Sequence, residues 1–176
     1  MNKNLLVTLL FLLAAGTAFA QHKFRFNNDG KFKIVQFTDI HWDPTSAGCD
    51  TTRHTILSVL SQEKPDIAIL TGDIVTANPA KKGWKAIVKI FEEAKMPFAV
   101  TLGNHDFNYG MDYLDSYLNA LHARCVCENV RWDGARVRFP ARIHTLENGL
   151  RIGIVGIVTD YVNIWEKPEP LSGITI

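Results

Sequence analysis

The chain has 176 residues, 47% of them hydrophobic and 21% charged, with 19 basic against 18 acidic side chains. That length and apolar content suit one domain with a buried core and exclude a disordered chain. The near-neutral balance excludes nucleic-acid binding driven by bulk charge.

The first twenty residues, "MNKNLLVTLLFLLAAGTAFA", carry one cation at Lys3, an apolar stretch from Leu5 to Ala15 and the small-residue ending Ala18-Phe19-Ala20. This is the pattern of a secretory signal peptide. The apolar run is short against the roughly 20 residues of a bilayer span. We therefore expect residues 1–20 to be removed, a mature chain beginning at Gln21, no stable membrane span after cleavage, and a periplasmic or secreted location. No cysteine follows the apolar run, so a lipoprotein is not expected.

After this segment, "KFKIVQFTDIH" alternates around Phe32, Ile34, Val35 and Phe37 and reads as a strand ending at Thr38-Asp39. Asp50 or Thr51 is placed to cap a helix whose apolar positions Ile56, Leu57, Val59 and Leu60 run up to Lys64-Pro65. A short buried strand follows from Ile67 to Leu70 and stops at Thr71-Gly72-Asp73. Between Ala80 and Lys95, Trp84, Ile87, Val88 and Phe91 mark one face of an amphipathic helix. Pro97 to Leu102 forms a third strand, ending at Gly103-Asn104-His105-Asp106. Met111, Leu114, Tyr117, Leu118 and Leu121 predict a further helix, and "RVRFPARIHTLENGLRIGIVGIV" two more strands joined at Glu147-Asn148-Gly149.

Alternating strand and helix predict an α/β protein with a parallel sheet and right-handed crossovers. In such a sheet all carboxyl ends lie on one edge, where ligands bind. Asp39 and His41, Asp73, and Asn104, His105 and Asp106 should therefore converge. An Asp-x-His or a Gly-Asp alone is commonplace; three such groups at consecutive strand ends point to a metal site. Carboxylate, imidazole and carboxamide oxygen form a mixed N/O donor set that suits Mn, Fe or Zn. Two such ions about 3.5–4 Å apart turn an intervening hydroxide into a nucleophile and stabilise charge in an in-line displacement.

Asp-x-His, Gly-Asp and Gly-Asn-His-Asp on successive strand ends resemble the metallophosphoesterase superfamily, the calcineurin-like phosphoesterases. The resemblance implies a βαβαβ sheet within a four-layer α/β/β/α sandwich and two divalent ions. It implies that Asp39 and His41 bind the first ion, that Asp73 bridges, and that Asn104 binds the second. It makes His105 a group that stabilises the transferring phosphoryl or protonates the leaving oxygen, with Asp106 orienting its imidazole. The first half, through "ILTGDIV" and "PFAVTLGNHD", is similar to secreted bacterial phosphoesterases of the purple-acid-phosphatase-like group. The stretch from "LGNHDFNYGMDYLDSYLNAL" to "LRIGIVGIVTDYVNIWEKPEPLSGITI" is similar to 5'-nucleotidases and 2',3'-cyclic-nucleotide phosphodiesterases. The implied substrate is a small phosphate ester, with nucleotides favoured by the second half.

The family's later Gly-His-x-His is absent after Asp106, where only His122 and His144 occur. Residues 21–176 are thus expected to be the N-terminal part of the domain, an incomplete sandwich with an exposed apolar edge. Four ligands fill only part of two coordination spheres, so the fragment is expected to hold at most one ion with modest affinity and to hydrolyse poorly. The rival to an enzyme is a chain that binds metal without catalysis. His22, His54, His122 and His144 read as surface or packing residues, and Trp42 as pocket or packing. Cys49, Cys125 and Cys127 predict neither a disulfide framework nor a structural zinc site. No Gly-x-Ser-x-Gly elbow supports a serine hydrolase.

Overall fold

The computed structural model describes residues 24–121, 125–146 and 148–176. The expected signal peptide, His22 and His122 lie outside them. Strands β1 (Ile34–Thr38), β2 (Ile67–Thr71), β3 (Phe98–Thr101) and β4 (Cys125–Trp132) are parallel neighbours in that order. On the far side of β4, β5 (Arg136–Phe139) pairs with it antiparallel, and on the edge opposite β5 a short strand, Ile174–Thr175, pairs antiparallel with Arg131 and Trp132 of β4. Helices α1 (Cys49–Glu63), α2 (Ala80–Glu93) and α3 (Met111–Leu121) fall between the parallel strands.

Because β1 to β4 step across the sheet in one direction, right-handed crossovers place all three helices on one face. The core confirms it: Ala68, Leu70 and Val100 meet Ile56 and Leu60 of α1, Trp84, Ile87 and Phe91 of α2, and Leu114 of α3. The predicted stripe of α2 is buried except at its edge, where Val88 is half-buried and Ile90 completes the buried face. Neither Asp50 nor Thr51 caps α1. Gly48 is the N-cap instead, so the helix begins at Cys49, and Asp50 sits in the first turn, where its charge complements the helix dipole. The Tyr113 hydroxyl accepts the Ala80 N–H, which joins the start of α2 to α3.

The other face carries Ile34, Ile69, Thr71, Ala99, Thr101 and Val126, which line a groove. Its opposite wall is an antiparallel pair, β6 (Arg142–Thr145) and β7 (Arg151–Ile154). Gly149, with φ of 85°, makes the bend expected there. The sequence reading merged β5 with β6; Pro140, which lacks an N–H, separates them and lets each join a different sheet. It also missed β4 altogether. The signal was present in Asp133-Gly134, whose φ values of 46° and 72° match a tight hairpin turn.

The chain after β7 returns across β4. The Glu128 N–H donates to Gly156 O at 2.7 Å, and Asn129 binds both backbone groups of Val158 through its amide. A short helix, α4 (Val162–Trp165), follows. At Gly156 a Cβ would lie 2.1 Å from Val126 O, a backbone atom that cannot step aside. Gly153 has nothing within 4 Å of such an atom. Gly156→Ala should therefore cost about 3 kcal/mol in urea unfolding, the upper end of overpacking, and Gly153→Ala less than about 0.5 kcal/mol. Similar costs at the two positions would refute the close crossing.

Candidate metal centre

The loop after β1 is zipped to the loop after β2. The Asp39 N–H donates to Gly72 O at 3.3 Å, the His41 N–H to Asp73 O at 2.9 Å and the Trp42 N–H to Ile74 O at 2.9 Å. Trp42 is buried, so its role is packing. These bonds hold Asp39, His41 and Asp73 at φ values of 51°, 50° and 50°. Left-handed backbone costs roughly 1–2 kcal/mol for a residue with a side chain, and Asp and His are among the types that tolerate it. Such conformations cluster at functional sites.

One donor atom from each of Asp39, His41 and Asp73 lies within 4.8 Å of the other two. His41 Nε2 is 3.8 Å from Asp39 Oδ1. Nitrogen and oxygen donors sharing one tetrahedral ion stand about 3.3–3.6 Å apart, so this set can close on a single divalent ion with side-chain adjustment of about 1 Å. Among the described residues it is the one such group of three. Asp73 is 8% exposed and forms the floor, while Asp39 and His41 stand open to solvent.

The third strand end is built against that floor. Gly72 has φ of 68° and turns the chain. Gly103 does not: its φ is −111°, ordinary extended backbone. Its reason is space, since a Cβ there would lie 2.3 Å from Asp73 Oδ1 and 2.5 Å from Asp73 N. The His105 N–H donates to Asp73 Oδ1 at 3.0 Å. Asn104, between these two contacts, opens the 3-10 turn Asn104–Phe107 and is half-buried. The His105 ring stands edge-on to that of His41, with centroids 5.6 Å apart.

The expected orienting bond from Asp106 to the His105 ring is not made. Asp106 is buried, and its oxygens accept the Gly103 N–H at 2.8 Å and the Tyr117 hydroxyl at 2.6 Å. The carboxylate therefore ties the loop to α3. The ring Nδ1 of His105 instead meets the side chain of Asn108 at 3.1 Å. Asn108 and Tyr117 were missed by sequence reasoning. Tyr117 was read only as part of an apolar stripe, and an asparagine three residues beyond a histidine gives no signal until the turn is known.

The remaining candidates stay outside the centre. His54 is exposed on α1, and His144 packs edge-on against Phe24. All three cysteines are free. Burial pushes the Cys127 thiol up to about 12 and raises that of Cys125 as well, so both remain protonated within the sheet.

Burial also raises the Asp106 carboxyl to about 6, against the pull of its bonds from Tyr117 and Gly103. The folded state thus binds the proton more tightly than the unfolded chain. The contribution of Asp106 to stability is full below about pH 4 and is lost as pH rises towards 6. Above that range the Tyr117 hydroxyl serves a buried charge, and bonds to charged groups contribute about 1.5–3 kcal/mol. Tyr117→Phe should therefore cost about 2 kcal/mol at pH 8 and about 1 kcal/mol at pH 4.5. Urea unfolding at the two pH values measures this, and an equal loss at both would rule out a charged partner.

Residues 32–170 match the family model described as calcineurin-like phosphoesterase. The chain is similar to the probable inactive purple acid phosphatase 29 of Arabidopsis thaliana, at 33% identity over 103 residues, 49% of this chain and 26% of that protein. It is similar to the trifunctional nucleotide phosphoesterase protein YfkN of Bacillus subtilis, at 27% identity over 168 residues, 76% of this chain and 11% of that protein. The crystal structure of the calcineurin-like phosphoesterase YfkN from Bacillus subtilis superposes with a TM-score of 0.62 at 25% identity, over 82% of this chain and 53% of that one. The chain thus spans a minor part of the curated relatives it matches, and both branches read from the sequence are among them. The family match takes in well over half of the chain, which therefore belongs to the calcineurin-like phosphoesterase family.

Proposed function

We propose that this protein is a secreted or periplasmic, metal-dependent hydrolase of small phosphate esters, nucleotides among them. The observation that carries the reading is the Asp39, His41 and Asp73 cluster at the carboxyl ends of adjacent parallel strands, with His105 beside it. Asp39 and His41 are assigned to the first ion, Asp73 to both, and Asn104 to the second; the donor set suits Mn, Fe or Zn. Bound divalent ions supply Lewis-acid stabilisation of the phosphoryl oxygens. Buried Asp73 fixes the floor of the site, while exposed Asp39 and His41 leave it open to a solvent-borne ester. His105 presents an imidazole to the same edge, where it stabilises the phosphoryl group or protonates the leaving oxygen. The assigned role of Asp106 is to fix the loop that carries His105.

The nucleotide class is supported by the name of the Bacillus subtilis relative. Secretion is supported by the pattern of residues 1–20. Among the described residues no helix is long and apolar enough to cross a membrane. A second reading, metal binding without efficient turnover, is favoured by the single cluster of three ligands among the described residues.

The test measures bound metal together with hydrolysis of 5'-AMP, 2',3'-cyclic AMP and an aryl phosphate. His105→Ala should lower kcat roughly 100-fold or more and leave metal content unchanged, whereas Asp73→Ala should lose the metal. Equal, weak rates on all three esters count against a nucleotidase. Retained metal with no hydrolysis in the unaltered protein selects the second reading.

A further inference from the structure

The His105 ring is the end of a hydrogen-bonded chain that begins at the far end of the sequence. Glu166 Oε1 lies 2.8 Å from the Asn108 amide, which is also 3.3 Å from His105 O and 3.1 Å from His105 Nδ1. A carboxylate and a backbone carbonyl are both acceptors, so they must face the amide's Nδ2, its only donor atom. The amide oxygen is then left facing His105 Nδ1, and that nitrogen must carry the proton. In the neutral ring the lone pair falls on Nε2, which makes no hydrogen bond among the described residues.

We propose that Glu166 is a positioning residue that, through Asn108, holds His105 as the Nδ1–H tautomer with Nε2 free for the substrate. The inference rests on the functional reading above only for its last clause; the tautomer follows from hydrogen-bond polarity alone.

Glu166 is well placed for this. It ends α4, with its N–H donating to Val162 O at 2.9 Å, and Val162 is fully buried. Upstream, the Asn129 amide clamps Val158. Asn108 is fixed from the other side, where its N–H donates to His105 O at the end of the 3-10 turn. The carboxylate thus acts from an anchored segment on an amide whose two ends differ only in hydrogen-bond polarity. Without it, the His105 carbonyl alone remains to select the orientation of that amide. With Nδ1 committed to Asn108, any proton that His105 gives or takes during turnover must pass at Nε2. Other metal-site histidines show the same logic, where the bond made by one ring nitrogen sets the chemistry of the other.

The test is a two-bond proton–nitrogen correlation spectrum of the full, metal-free chain with ¹⁵N-labelled histidine, recorded above the imidazole titration at about pH 8.5. Signals of His105 are those lost in His105→Gln. The unaltered protein should show protonated Nδ1 and unprotonated Nε2 at His105. Glu166→Leu and, independently, Asn108→Ala should shift both nitrogens towards a mixture of tautomers, and Glu166→Gln, which still offers an oxygen, should restore the original pattern. Protonated Nε2 in the unaltered protein, or an unchanged pattern in Glu166→Leu, overturns the proposal. With substrate and metal, Glu166→Leu should lower kcat about tenfold at unchanged KM. An Nδ1–H signal in a protein that hydrolyses no phosphate ester would sink the functional reading and leave the tautomer assignment standing.

Discussion

The contact between Asp73 and the Gly103 to His105 backbone is the constraint on which the rest of the centre depends. Two parallel strands end side by side, and the carboxylate from one lies against the bare Cα of the other while accepting the next amide but one. A carboxylate 8% exposed needs such donors, because burial of an unpaired charge is costly. The same contact sets the separation of the second and third strand ends, and so the place of Asn104 and His105 relative to Asp39 and His41. The left-handed backbone at the three clustered residues is held by the bonds that zip the first two loops together.

Beneath the centre lies a second buried carboxylate with a different task. Asp106 accepts from Gly103 and from Tyr117, so it joins the strand-end loop to the helix that follows. Tyr117 stacks in turn on Trp84 of α2, with ring centroids 5.8 Å apart. A side chain that sequence placed in the chemistry therefore works in the support. The His105 ring is left to Asn108 and, through it, to Glu166.

The two faces of the sheet divide the molecule's labour. One is closed by α1, α2 and α3 and carries the core; the other looks into a groove walled by the β6–β7 pair. The segment that leaves β7 crosses β4 at Gly156 and delivers α4 and Glu166 to the edge where the ligands gather. Residues distant in sequence thus meet at the carboxyl ends of the strands.

Much of this was readable from the sequence because it rests on local pattern. Apolar periodicity gave β1, α1, β2, α2 and β3, and Asp-x-His, Gly-Asp and Gly-Asn-His-Asp stood at their ends. A parallel sheet allows those ends only one edge, so the meeting of Asp39, His41 and Asp73 followed from strand order. Strand β4 and its Asp133-Gly134 turn were equally local and were overlooked. The partners of individual polar atoms were of another kind. Whether Asp106 bonds to a ring, an amide or a phenol depends on which groups packing brings within 3 Å. Gly103 is a spacer that no local pattern marks as one, because the atom it makes room for belongs to another loop. Sequence determines which groups a strand end presents, since that depends on period and position. Tertiary structure decides how those groups pair, since hydrogen bonds join atoms that no local pattern relates.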